Sequence, residues 1–140
     1  MKRKVLTRAE RLIIYNKTDG HCAYCGDAID LKAMQADHVA PMEFDGLIEK
    51  FGNDPNHIDN LLPACRPCNY IKSSMTLEKF RRRVSDWVDV LQRDSVTYRN
   101  AARFKTIIPN PHPIKFYFEQ IGLEVPDYLE GLNLMYKEQK

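Results

Sequence analysis

Two short cysteine pairs constrain this chain more than anything else in it: Cys22-Ala-Tyr-Cys25 and Cys65-Arg-Pro-Cys68, separated by 39 residues. Each C-x-x-C turn presents two sulfurs toward one point, and four thiolates at about 2.3 Å close a tetrahedral zinc site. Two distant turns that must meet around one ion fix the path of the chain between them. The 39-residue interval exceeds that of a simple zinc ribbon, so a substructure has to sit between the knuckles. That substructure holds Asp37-His38, and Asn69 follows the last cysteine directly.

Length and composition narrow the setting. With 140 residues the chain is one domain with room for a short appendage. The longest clearly apolar run near the N-terminus, residues 12–15, is far shorter than the roughly 7–15 apolar residues of a signal peptide. An intracellular, cytoplasmic protein with no membrane partner is expected. In a reducing compartment two C-x-x-C pairs favour metal over disulfides, and a thiol redox motif is the lesser reading. Net charge is only +2, but residues 1–20 carry +4, residues 21–76 carry −4, residues 77–105 carry +4 and residues 106–140 carry −2. An acidic centre between basic arms suits a protein that holds a cation and grips a polyanion beside it, although ordinary surface charge on helices gives the same pattern.

Local signals place the motifs. Thr7-Arg-Ala-Glu10 reads as a capping box opening a helix that Asp19-Gly20 closes, with Ala9, Leu12 and Ile13 on one face. Residues 29–40 read as a short hairpin carrying Asp37-His38 into a stop at Pro41. Residues 43–51 suggest a short helix, and 52–56 a turn. A helix beginning near Cys68 places Asn69 and Lys72 on one face. From Thr76 a longer helix is predicted, with Phe80, Val84, Trp87, Val88 and Leu91 as its buried stripe. Another starts at Ser95 and holds Tyr98, Ala101, Ala102 and Phe104. Residues 109–113 form a proline-rich linker, Phe116-Tyr-Phe118 reads as core packing or a subunit contact, and a last helix follows Pro126.

Several side chains bear chemistry. Aspartate is a hard oxygen ligand of the kind Mg²⁺ takes. Neutral histidine, with an ordinary pKa near 6.5, accepts a proton from water around pH 7. The alternative is that Asp37 merely orients a structural histidine. Asn69 and Asn60 taken singly are a cap and a turn residue.

Taken together, Cys22-x2-Cys25, Asp37-His38-Val39, Asn60-Leu61 and Cys65-x2-Cys68-Asn69-x2-Lys72 resemble the zinc-containing HNH endonucleases over residues 20–73. The resemblance implies a ββα-metal core braced by a four-cysteine zinc site, and the helices read on either side of it complete an α+β fold flanked by N- and C-terminal helices. The domain would span residues 1–105, with its motif core at 20–73 and flanking helices at 7–19 and 76–105. Residues 106–140 would be an appendage packed on or beside it. The resemblance makes His38 the general base, and Asp37 and Asn69 the ligands of a catalytic Mg²⁺ or Mn²⁺. Cys22, Cys25, Cys65 and Cys68 become the ligands of a structural Zn²⁺. Asn60 would brace the loop and orient the histidine. Asn69 stands where the last histidine of the family name would be, as in phage junction resolvases and the HNH domain of RNA-guided nucleases. Lys72 matches a basic position able to touch phosphate.

The 21 residues between His38 and Asn60 exceed those of compact members, and the insertion, residues 42–58, holds Glu43, Asp54 and His57. Lys79, Arg82 and Arg83 form a basic face opposite the Phe80/Val84/Trp87 stripe and are candidate DNA-backbone contacts. Asp86, at i+4 from Arg82, partly neutralises that face. The expected activity is hydrolysis of DNA, as a duplex, by a stand-alone metal-dependent HNH endonuclease. The rival is a non-catalytic zinc-braced module that binds DNA or a protein, such as an inhibitor or packaging accessory.

Overall fold

The computed structural model describes residues 3–42 and 54–125. The helix expected at 43–51 and the one after Pro126 lie outside the described residues. The first helix, α1, spans Arg8–Asn16. Thr7 caps it as its sequence requires: Thr7 Oγ1 accepts from Glu10 N at 3.2 Å, and Glu10 Oε2 accepts from Thr7 N at 2.9 Å. Asp19 and Gly20, with φ of 51° and 78°, turn the chain out of it. Leu12 and Ile13 are exposed, whereas Ile14 is fully buried against Met34 and Leu61, so the packed face is rotated from the Ala9/Leu12/Ile13 face.

The sheet has two antiparallel strands, β1 (Gln35–His38) and β2 (Leu61–Ala64), with Asp37 opposite Leu62 and His38 opposite Leu61. The expected hairpin within residues 29–40 does not form. β1 pairs instead with a strand more than twenty residues on, because β2 is buried along its whole length and covers the core. Pro63 has no N–H to give a ladder, yet its carbonyl accepts from Ala23 N at 2.8 Å, which ties the first knuckle to the sheet.

Helix α2 (Arg66–Lys72) leaves β2 directly, with Cys65 as its N-cap residue and Pro67 in its first turn. Helix α3 (Leu77–Asp94) is capped by Thr76, and α4 (Val96–Arg103) by Ser95. A short α5 (Tyr117–Gln120) is the last helix among the described residues. Among the described residues no helix is long and apolar enough to cross a membrane.

The main core gathers Tyr24, Val39, Leu62, Leu77, Phe80, Phe116 and Phe118. Tyr24 meets Phe80 and Phe116 edge-on at 5.4 Å, a favoured arrangement for ring quadrupoles. Phe116 and Phe118 are thus core residues. Their segment is fastened by Tyr117 N to Tyr24 O at 3.1 Å and Phe118 N to Ala23 O at 2.8 Å. The stripe on α3 is buried only at its start. Phe80 is enclosed, but Trp87 is 39 % exposed and Leu91 42 %, since the second half of the helix runs past the core.

Asn60 locks the loop between the strands. It is fully buried, its Oδ1 accepts from Ala40 N at 2.9 Å, and its Nδ2 donates to Ala40 O at 3.1 Å and Pro55 O at 2.8 Å. Replacing it with alanine strands three buried backbone groups. Asn60→Ala is expected to cost about 2–4 kcal/mol, read as a lower urea midpoint with an unchanged m-value.

Candidate active site

The two knuckles converge. In the first, Gly26 adopts φ +83° and donates to Cys22 O at 2.9 Å, while Cys22 N donates to Asp27 O at 2.7 Å. The second is the start of α2. The four sulfurs lie within 4.8 Å of one another, and Cys25 Sγ is 3.8 Å from Cys65 Sγ. Tetrahedral zinc with sulfurs at about 2.3 Å spaces them by about 3.8 Å, so this donor set fits that ion. A hydrogen bond from Cys68 lowers Cys22 to about 5, whereas burial, then the nearby Cys22 charge, push Cys25 up to about 12. Like charges so crowded resist a second ionisation, and a divalent cation among them removes that resistance.

Beside this cluster, Asp37, His38 and Asn69 line one cleft of about 330 Å³, with Arg3 and Tyr70 at its edge. His38 and Asn69 also border a second hollow of about 430 Å³, which Arg3 again lines. His38 is 7 % exposed. Its Nε2 lies 2.9 Å from Asn56 Oδ1, an oxygen that also accepts from Lys4 N at 3.3 Å. An atom that accepts from a backbone N–H is the carbonyl oxygen of the amide, so Nε2 must carry the hydrogen and donate it. Nδ1 then holds the free lone pair. Among the described residues it is buried without a hydrogen-bond partner. Burial lowers the pKa of this histidine, with the Asn56 hydrogen bond opposing, which favours the neutral, basic form near pH 7.

Asp37 faces α2. Its Oδ2 is 2.9 Å from Lys72 Nζ and accepts from the Tyr24 hydroxyl. Both contacts use Oδ2, which leaves Oδ1 as the oxygen able to serve an ion. Asn69 Nδ2 donates to Gln35 Oε1 at 2.6 Å, so Asn69 offers its Oδ1. One carboxylate and one amide oxygen in a common cleft fit a hard divalent ion that keeps most of its shell for water and substrate.

Three expectations change here. Lys72 is not a phosphate contact. It is fully buried, and its ammonium is spent on Asp37 and on His38 O at 2.9 Å. Asn60 does brace the loop, but its side chain bonds to Ala40 and Pro55, and the imidazole is held by Asn56. Lys79, Arg82 and Arg83 do not border the cleft. They line a separate groove of about 360 Å³ that also includes Trp87, so the basic face and Trp87 adjoin rather than oppose each other. In the insertion, His57 is exposed and caps the turn before β2, and Asp54 accepts from Asn56 N at 2.9 Å.

Residues 22–74 match the family model described as HNH endonuclease. The match runs from the first knuckle to just past α2 and takes in the whole cleft wall formed by β1 and α2. Among solved structures, the crystal structure of the Type II-C Cas9 enzyme from Actinomyces naeslundii is similar, with 25 % identity and a TM-score of 0.46. That similarity covers 59 % of this chain and only 9 % of the Cas9 chain. No curated protein matches this chain.

Four residues of the matched segment and its surroundings carry no motif signal: Tyr24, Gln35, Asn56 and Arg3. Gln35 shares a strand face with Asp37 at i, i+2, and a buried tyrosine inside a knuckle needs a partner for its hydroxyl; both were open to sequence reasoning. The sulfur cluster yields a direct expectation. The purified protein should hold one zinc per chain by elemental analysis, and Cys65→Ser should be unfolded or insoluble, since structural zinc contributes on the order of 10–16 kcal/mol in small domains. A folded protein with far less than one zinc per chain would contradict this.

Proposed function

We propose that this protein is a metal-dependent HNH endonuclease that hydrolyses phosphodiester bonds of duplex DNA. One observation carries the reading: His38, whose enclosed Nδ1 has no hydrogen-bond partner among the described residues, lines the same cleft as the Asp37 carboxylate and the Asn69 amide. His38 Nδ1 takes the proton from an attacking water, and Asn56 Oδ1, already bonded to Nε2, steadies the imidazolium that results. Asp37 and Asn69 would hold Mg²⁺ or Mn²⁺ through their Oδ1 atoms. When bound, such an ion neutralises charge on the phosphate and stabilises the leaving 3′ oxygen. The sulfur cluster, with Zn²⁺, would brace the frame.

Arg3 is the phosphate contact that geometry favours at the cleft. Of the cations lining either hollow, Lys4 pairs with Glu10 at 2.6 Å and Arg11 donates to Leu31 O and Met34 O. Arg3 borders both hollows, and its charge is felt by His38. Lys79, Arg82 and Arg83 would lengthen the grip on the backbone beyond the scissile site.

A second reading, a zinc-braced binding module without turnover, draws on the double engagement of Asp37 Oδ2, which also suits a purely structural carboxylate. Plasmid cleavage in Mg²⁺ and in Mn²⁺ separates the two. The parent should cut, and His38→Ala should lose at least about 10²-fold in rate with zinc content unchanged and the protein still folded at the assay temperature. Equal rates for parent and variant would sink the assignment of His38, and a parent that binds without cutting would support the module.

The grip has its own test. Affinity of the His38→Ala protein for a short duplex, measured by anisotropy, should fall steeply with salt, with a slope of about −0.9 per phosphate neutralised. Arg3→Ala should flatten that slope by about one phosphate. Joint replacement of Lys79, Arg82 and Arg83 by alanine should flatten it further. An unchanged slope in the triple variant would make that face solvated surface only.

A further inference from the structure

Tyr24 sits inside the first knuckle, between Cys22 and Cys25, yet its hydroxyl reaches across to the cleft carboxylate. Its ring is 4 % exposed and packs edge-on against Phe80, Phe116 and Phe118. Asp37 is 4 % exposed and Lys72 is fully enclosed. Lys72 also donates to His38 O at 2.9 Å, so the same ammonium fixes the backbone carrying the histidine. The carboxylate oxygen Oδ2 is therefore gripped from two sides. One arm comes from α2 and the other from the knuckle that carries two of the four sulfurs.

We infer that Tyr24 is a positioning residue that ties the four-sulfur site to the cleft: with Lys72 it clamps Asp37 Oδ2, and so sets where Oδ1 is presented. The inference rests on the function proposed above, but its physical content is narrower. A carboxylate can rotate about its Cβ–Cγ bond and wander between χ wells, and each partner on one oxygen removes part of that freedom. The ring contacts pin Tyr24 in place, and the sulfur site pins the turn that bears it. Loss of order at the sulfurs would then be felt at Asp37 without any change in the cleft's own residues. A phenol, with an ordinary pKa of about 10, is a donor throughout the neutral range. No proton moves in this role; Tyr24 touches neither substrate nor ion.

Tyr24→Phe tests it, because phenylalanine keeps the ring packing and removes only the hydroxyl. Three quantities are read on the full chain: zinc content, Mn²⁺ affinity without DNA by electron paramagnetic resonance, and the side-chain carboxylate ¹³C resonance of Asp37. The expected result is one zinc per chain as in the parent, Mn²⁺ binding weakened several-fold, and a shifted Asp37 resonance. Unchanged Mn²⁺ affinity together with an unmoved resonance would overturn the inference while leaving the nuclease reading intact. If the parent itself neither binds Mn²⁺ nor cuts DNA, the nuclease reading fails, and the Asp37 resonance alone decides whether the clamp exists. Should Tyr24→Phe not retain zinc, Lys72→Met reads the same clamp from its other arm, with the same shift expected and an unmoved resonance again contradicting it.

Discussion

Convergence of four sulfurs from two turns 39 residues apart is the constraint on which the rest of this structure depends. A two-stranded sheet is marginal alone in water, and here its second strand runs straight into the second knuckle. Bringing the knuckles together places β1 against β2 and sets α2 across them. The first knuckle is also hydrogen-bonded to Pro63 in β2 and to the first turn of α5. The sulfurs are thus joined to the sheet and to the aromatic core through the same few residues, Ala23 and Tyr24.

Buried polar groups then give the cleft its shape. Lys72, Asn60, Asp37 and His38 are all enclosed or nearly so. Charges and amides at such depth are costly unless paired, and a broken pair is worse than none. Lys72 with Asp37, and Asn60 with Ala40 and Pro55, meet that demand. Each network fixes one wall of the cleft: the first sets the carboxylate against α2, and the second sets the return of the loop after His38. The exception is His38 Nδ1, an enclosed acceptor with no partner among the described residues. An unsatisfied group at that position, next to a carboxylate and an amide, is what a site awaiting water and substrate would show.

Much of the frame was legible in the sequence. Thr7, Thr76 and Ser95 each cap the helix their pattern announces, because capping is local. The knuckles were legible because sulfur spacing is nearly geometric in itself. What depends on distant partners was not. The partner of β1 could not be found locally, since the strand it needs lies beyond an insertion of unusual length. Lys72 reads as a surface cation from its type and helical position, and only the carboxylate brought opposite it explains its burial. Trp87 reads as core by its period, but a helix of 18 residues overruns a core this small. Asn56 was hidden inside the insertion and Arg3 in an extended N-terminal stretch, where no periodicity marks which side chain turns toward the cleft.

Under the proposed function one small unit would hold two metal sites of opposite chemistry, one of sulfur and one of oxygen. Anomalous diffraction on a single crystal tests this most directly, using the His38→Ala protein with a short DNA duplex and Mn²⁺. Data at the zinc and manganese edges should give two separate peaks, zinc among Cys22, Cys25, Cys65 and Cys68, and manganese between Asp37 and Asn69. A manganese peak absent from the cleft, or zinc absent from the sulfurs, would contradict it.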